Sequence, residues 1–196
     1  MPKETLQKTY RRTKYIVYKE TTWNFQEKLF AFIGAFLSIG IVAFLQSTIL
    51  DHQENFFLIG SFGASCVLVF GAAKSPLAQT RSLVGGHLIS ALVGVTIYKL
   101  IPDPLWLNAP LAVACSIVLM QFTKTLHPPG GATALIAVIG TEKIKSLGYL
   151  FVLSPILSGC LILTSVAFLC NYVPNIKRYP LLLKRPKFQN MRITKF

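Results

Sequence analysis

Acidic side chains are scarce in this chain: seven Asp and Glu stand against twenty Lys and Arg in 196 residues. None of the seven lies deep in an apolar stretch, so the interior lacks the paired carboxylates on which much acid–base catalysis depends. Histidine is equally sparse, with three in all. Two of them, His87 and His127, lie in or beside apolar stretches, but without a third ligand they make a poor metal site. The four cysteines, Cys66, Cys115, Cys160 and Cys170, fall in apolar runs without CxxC spacing, which reads as packing rather than redox or metal chemistry. A histidine-based membrane enzyme is therefore the least favoured reading, and neither metal nor cofactor is expected.

Charge of either sign is low as well. Charged residues make up 14% of the chain, against roughly 25% in soluble domains. Apolar residues fill the difference, at 53%, with mean hydropathy +0.54. Nearly uncharged runs cover 29–50, 56–73, 82–101, 105–122, 131–140 and 147–170. Several approach the ~20 residues that a helix needs to cross ~30 Å of hydrocarbon, so an all-α membrane protein is expected. The runs 56–73 and 131–140 are short and contain glycine, which marks them as broken or re-entrant segments.

The net charge of +13 does not point to nucleic acid, because fourteen of the twenty basic residues lie in two flanks, up to Lys28 and from Lys177 onward. This distribution divides the chain into a basic segment over 1–28, suited to the membrane surface, a transmembrane domain over 29–171, and a basic tail over 172–196. Both flanks belong in the cytoplasm or its equivalent, which makes the number of full crossings even. Six crossings leave 17 Lys and Arg inside and 3 outside; with both short runs re-entrant the numbers are 15 and 5. Four and six both stay open. The polar residues before the first run argue against a cleavable signal, and the three Glu and the lack of Ser in 1–28 argue against a transit peptide. A bacterial inner membrane is the expected location, with a chloroplast inner envelope as the alternative.

Gly63-Ala64-Ser65-Cys66-Val67-Leu68 aligns with Gly131-Ala132-Thr133-Ala134-Leu135-Ile136, and the same offset lays the run 82–101 on 150–169. The chain then reads as two repeated units, about 29–101 and 105–170, each a long helix, a short Gly-rich broken or re-entrant helix and a long helix. If every short run crosses, each unit contains an odd number of passes and the repeat is inverted. If the short runs are re-entrant, the units are parallel.

The second short run follows Lys124-Thr125-Leu126-His127-Pro128-Pro129-Gly130-Gly131. The two prolines lack N–H donors and disfavour helix in the residue before each, so His127 and Pro128 should be extended and the preceding helix should stop near Thr125. A new helix is expected to begin around Pro129 or Gly130. From Gly130 to Gly140 it covers only about 16 Å, half a bilayer. A helix N-terminus offers unpaired N–H groups and partial positive charge, hence a place for an anion. Gly130, Gly131 and Thr133 would line it, with Gly63, Ser61 and Ser65 doing the same at the equivalent element. His127 and His87 are intramembrane ionisable groups and default to site candidates. Arg81, Lys74 and Lys124 are either surface groups or guides for an anion. Gly86, Ser90 and Gly94, four residues apart, read as a close-packing stripe.

The segments from Phe62 to Val95 and from His127 to Gly140 resemble the HPP family of integral membrane proteins, named for its His-Pro-Pro motif. The resemblance runs from about Leu29 to Pro180. It implies four membrane-spanning helices and, because members in chloroplasts and cyanobacteria are linked to nitrite transport, a transporter or channel for a small monovalent anion. The expected partners are that inorganic anion, the lipid bilayer and further copies of the chain in a homo-oligomer. A scaffold or sensor subunit without transport is the competing expectation.

Overall fold

The structure is a computed structural model that describes Gln7 and residues 25–47 and 52–172. The basic flanks expected over 1–28 and 172–196 lie almost wholly outside the described residues.

The described residues form an all-α structure without strands. Helix α1 spans Phe25–Ser47. Helix α2, His52–Cys66, continues as a wider π turn over Val67–Gly71, and a short 3-10 turn follows at Pro76–Ala78. Helix α3 is Thr80–Leu100, α4 is Leu105–Phe122, and α5 is Pro128–Ile139. A two-turn helix, α6, occupies Glu142–Leu147. A π segment at Val152–Leu157, bent at Ser154, leads into α7, Ser158–Tyr172. Among the described residues four segments are long and apolar enough to cross a membrane: Phe25–Ser47, Thr80–Leu100, Leu105–Phe122 and Val152–Cys170.

Close contacts at the two ends of the bundle fix the directions of α2 to α5. His127 Nδ1 lies 2.8 Å from the Leu77 carbonyl, and Gly85 packs on Thr125. The loops before α3 and after α4 therefore share one end. At the other end Asn108 donates to the carbonyls of Ile101 and Pro102, and Thr96 meets the Tyr149 hydroxyl at 3.2 Å. The Lys145 ammonium sits 5.1 Å from the Tyr98 ring. Helix α5 starts beside Gly86, passes Ser90 and Gly94, and delivers the chain to that far end. It runs through the bundle rather than turning back. Helix α2 does the same in the opposite sense, with Ser65 near His127, Ser61 near Thr133, and Phe70 against Gly34 of α1. The described apolar helices thus follow one another in the order long, short, long, long, short, long, the four long ones being those of membrane-spanning length.

One expectation changes. Residues 52–55, between the apolar runs 29–50 and 56–73, belong to α2, so Gly63 lies inside a helix and not at its N-terminus. Nothing in the sequence before Gly63 breaks a helix: the residues Gln53, Glu54 and Asn55 carry no proline or glycine and let the helix extend beyond the apolar run.

Among lipid tails apolar burial drives helix association weakly, and close backbone approach takes its place. The stripe on α3 serves this purpose. A β-carbon on Gly94 would lie 2.5 Å from the Ala134 carbonyl oxygen. Ser90 meets Met120, and its Oγ lies 2.8 Å from where a β-carbon on Gly130 would stand. Helix α1 turns Gly34, Ser38, Val42 and Gln46 inward at four-residue spacing, and leaves Phe32, Phe36 and Phe44 exposed. Phe62 and Phe151 are fully buried among α2, α3 and α7.

Candidate functional site

The break between α4 and α5 builds the site. Lys124 adopts φ 57°, the Thr125 N–H reaches back to the Met120 carbonyl at 2.8 Å, and the Lys124 N–H reaches Gln121 at 3.1 Å. These two bonds close α4 as a Schellman motif. The helix ends at Phe122, slightly earlier than the prolines require. His127 is extended, φ −142° and ψ 104°, as a residue before proline should be. Pro128, expected to be extended, is instead the first residue of α5, because a first-turn position suits its fixed φ and missing donor.

That geometry also changes the anion-site expectation. Pro128 and Pro129 supply no N–H, and the Gly130 N–H donates to the His127 carbonyl at 2.8 Å. Of the donors that a helix N-terminus ordinarily leaves free, those of the first two helical positions are absent and that of the third is taken. Gly130 serves packing: a β-carbon there would stand 2.8 Å from Ser90 Oγ and 3.0 Å from the Gly86 carbonyl oxygen. Gly131 is half-buried beside Val113, and Gly63 has no neighbour within 4 Å of where a β-carbon would sit.

The side chains behave differently. Four of the sequence candidates, His127, His87, Ser65 and Thr133, are fully buried and converge on one network. Ser65 Oγ is 2.8 Å from His87 Nε2 and 2.9 Å from His127 Nε2. His87 Nδ1 is 2.7 Å from Thr133 Oγ1. Ser61 extends the chain, 2.9 Å from Thr133 Oγ1 and 3.0 Å from the Pro129 carbonyl. The imidazole rings are 5.0 Å apart, and Phe62 closes one side at 5.2 Å from His87. Pro129 contributes its carbonyl, while Pro128 is exposed.

Arg81 does not join the network. It is exposed in the first turn of α3, and Lys74 and Lys124 are exposed at the same end. The Leu77 carbonyl, which fixes the His127 ring, was not foreseen. A backbone oxygen of an apolar residue leaves no mark in sequence, and the Ser75-Pro76 turn that aims it is the sole hint.

Chemically, this is a chain of neutral donors and acceptors. No Asp, Glu, Lys or Arg bonds to it among the described residues, and no group of three or more His, Cys, Asp or Glu gathers there to hold a metal. A helical membrane bundle with a buried histidine–hydroxyl core defines the class of this protein. Residues 20–180 match the HPP transmembrane region, and the chain belongs to that family. It is 40% identical over 163 residues to a transmembrane protein of Dictyostelium discoideum, covering 80% of this chain and 51% of that one. A second transmembrane protein of the same organism is 44% identical over 165 residues, covering 81% and 56%. The chain thus spans about half the length of these curated relatives. No solved structure matches.

Proposed function

We propose that this chain is a membrane transporter for a small monovalent anion, nitrite being the one that the family resemblance implies. The observation that supports this is the His87–Ser65–His127 group, buried between α2, α3 and the start of α5 and free of charged partners among the described residues. Polar side chains are costly within a bilayer and mark solute paths when they persist there. A fixed carboxylate would repel an anion and a fixed ammonium would hold it too tightly. Hydroxyls and imidazole N–H groups replace its water at a moderate strength that also permits release. His127, His87, Ser65 and Thr133 are the binding groups in this reading, and Gly130 and Gly131 bring α5 close enough to place them. Arg81 would draw anions to the mouth. In this reading the two units form an inverted repeat, and rocking of 25–100 against 105–172 would open the site to alternate faces.

A second reading has its own support. The network is closed, and each of its side chains has a hydrogen-bond partner. It would then lock α2, α3 and α5 together in a scaffold or sensor subunit. Nitrite uptake into proteoliposomes, corrected for protein-free vesicles, separates the two. Uptake that falls in folded Ser65→Ala and His127→Ala variants supports transport. Wild-type vesicles no better than empty ones for nitrite, nitrate, formate and chloride would sink it.

A further inference from the structure

The Ser65 hydroxyl proton has two imidazole claimants, at 2.8 and 2.9 Å, and these closer acceptors win over the Ser61 carbonyl oxygen at 3.2 Å. The Leu77 oxygen facing His127 Nδ1 carries no hydrogen, so Nδ1 of His127 must hold one and donate it. When His127 is neutral its Nε2 is a bare lone pair, and Ser65 is its donor. Ser65 then has nothing left for His87, so His87 Nε2 must bear its own hydrogen and give it to Ser65. His87 Nδ1 is consequently bare and receives the Thr133 hydroxyl. Thr133 in turn accepts from Ser61. The neutral network points one way throughout, from Ser61 through Thr133, His87, Ser65 and His127 to the Leu77 carbonyl.

The same atoms admit a second complete arrangement containing one more hydrogen. His127 donates from both nitrogens, to Leu77 and to Ser65. Ser65 donates to His87 Nε2, and His87 Nδ1 to Thr133. Thr133 donates to Ser61, and Ser61 turns its hydroxyl to the Pro129 carbonyl, 3.0 Å away. Moving one hydrogen across Ser65 shifts the charge to His87 and leaves every other bond in place.

We propose that Ser61, Thr133, His87, Ser65 and His127 form a binding site for a single proton, which they accept without losing a side-chain hydrogen bond by reversing the direction of the chain. The balance is simple: one proton is added, each O–H or N–H hydrogen moves to the next partner or turns, and no electrons are exchanged. The groups facing the rings oppose a second proton and do not trap the first. Helix α2 presents Ser61, Phe62 and Ser65, the Pro76–Ala78 turn presents the Leu77 carbonyl, and α5 presents Thr133, all uncharged. Two imidazolium rings 5.0 Å apart would repel strongly in such a medium. The charge therefore arises once, in the middle of the bundle. Resting on the transport reading, this site makes the proton the companion of the anion: the solute enters where a positive charge has just been created, and both leave together.

The test needs no variant. The chain has three histidines, His52, His87 and His127, and ¹⁵N-histidine labelling of the full-length protein in lipid bilayers resolves which ring nitrogens carry hydrogen as pH falls, with resonances assigned through the backbone. At high pH His127 should carry hydrogen on Nδ1 alone and His87 on Nε2 alone. On acidification His87 Nδ1 should gain hydrogen, His127 Nδ1 should stay unchanged, and the two rings together should take up one proton per chain. Three results would overturn the proposal: His87 Nδ1 already protonated at high pH, His87 Nδ1 still bare once His52 is fully charged, or both rings doubly protonated. Anion uptake is scored separately. A switching network without uptake removes the transport reading and leaves the proton site, and uptake over a static network does the reverse.

Discussion

Gly86 of α3 and His127 at the start of α5 pack with no space for a methyl group between them: a β-carbon on Gly86 would stand 2.5 Å from that of His127 and 2.9 Å from the Thr125 carbonyl oxygen. Both of these neighbours are held, His127 by Leu77 and Ser65, and Thr125 by its bond to Met120. Gly86→Ala should therefore push α5 away from α3 and lower stability by about 1–3 kcal/mol, the usual cost of overpacking. Gly63→Ala is the control. That residue is helical and has open space around it, so alanine should be neutral or stabilising by up to about 1 kcal/mol. Denaturant unfolding in mixed micelles measures both. Equal losses at the two positions would show that the α3–α5 contact is looser than described.

Lys124 offers a prediction of opposite sign. Its φ of 57° places an L-residue where glycine is at ease, a strain of roughly 1–2 kcal/mol. The side chain is exposed, so little is lost by removing it. Lys124→Gly should raise stability and leave anion uptake at saturating concentration unchanged. A loss of uptake without a loss of fold would instead give this lysine a part in guiding the anion.

How far the sequence carried depended on whether a feature was local. The Pro128-Pro129 break, the extended His127 and the stripe of Gly86, Ser90 and Gly94 are dictated by one or a few neighbouring residues, and all three are where local rules put them. His87, His127, Ser65 and Thr133 could be singled out because polar groups in apolar runs demand a reason. The internal repeat placed them near one path, but their direct hydrogen bonds could not be read, since these join positions 22 to 62 residues apart. The free amides expected at α5 failed for a subtler cause. The residues that start the helix are prolines, which provide a helix N-terminus and remove two of its donors in the same step. Gly63 failed because the apolar pattern begins after the helix does, and hydropathy alone sees only the apolar part.

Arg81 and Lys74 test whether charge at one end of the bundle matters. Both are exposed, and surface changes of this kind usually alter stability by no more than about 0.5 kcal/mol. Arg81→Gln and Lys74→Gln should thus fold normally. If these cations attract the anion, KM for nitrite should rise while the maximal rate stays the same, and the difference from wild type should shrink as salt is added. A fall in maximal rate would place Arg81 on the path itself.

Ser65 is where structural and functional demands can be separated most cleanly. Its hydroxyl is the single group between His87 Nε2 and His127 Nε2, so Ser65→Ala leaves both nitrogens without that partner in a fully buried place. The expected loss is about 1–3 kcal/mol. Thr133→Val strips a hydroxyl of similar volume from His87 Nδ1 and Ser61, and should cost a comparable amount. Thr133→Ser keeps the hydroxyl and removes one methyl group, so it should retain the network at a smaller packing loss. The scaffold reading predicts that every measured property follows stability through this series. Transport predicts that uptake follows the hydroxyl: present in Thr133→Ser, and lost in Thr133→Val and Ser65→Ala even at temperatures where both are fully folded. Uptake that persists in folded Thr133→Val would take the hydrogen-bond chain out of the transport path.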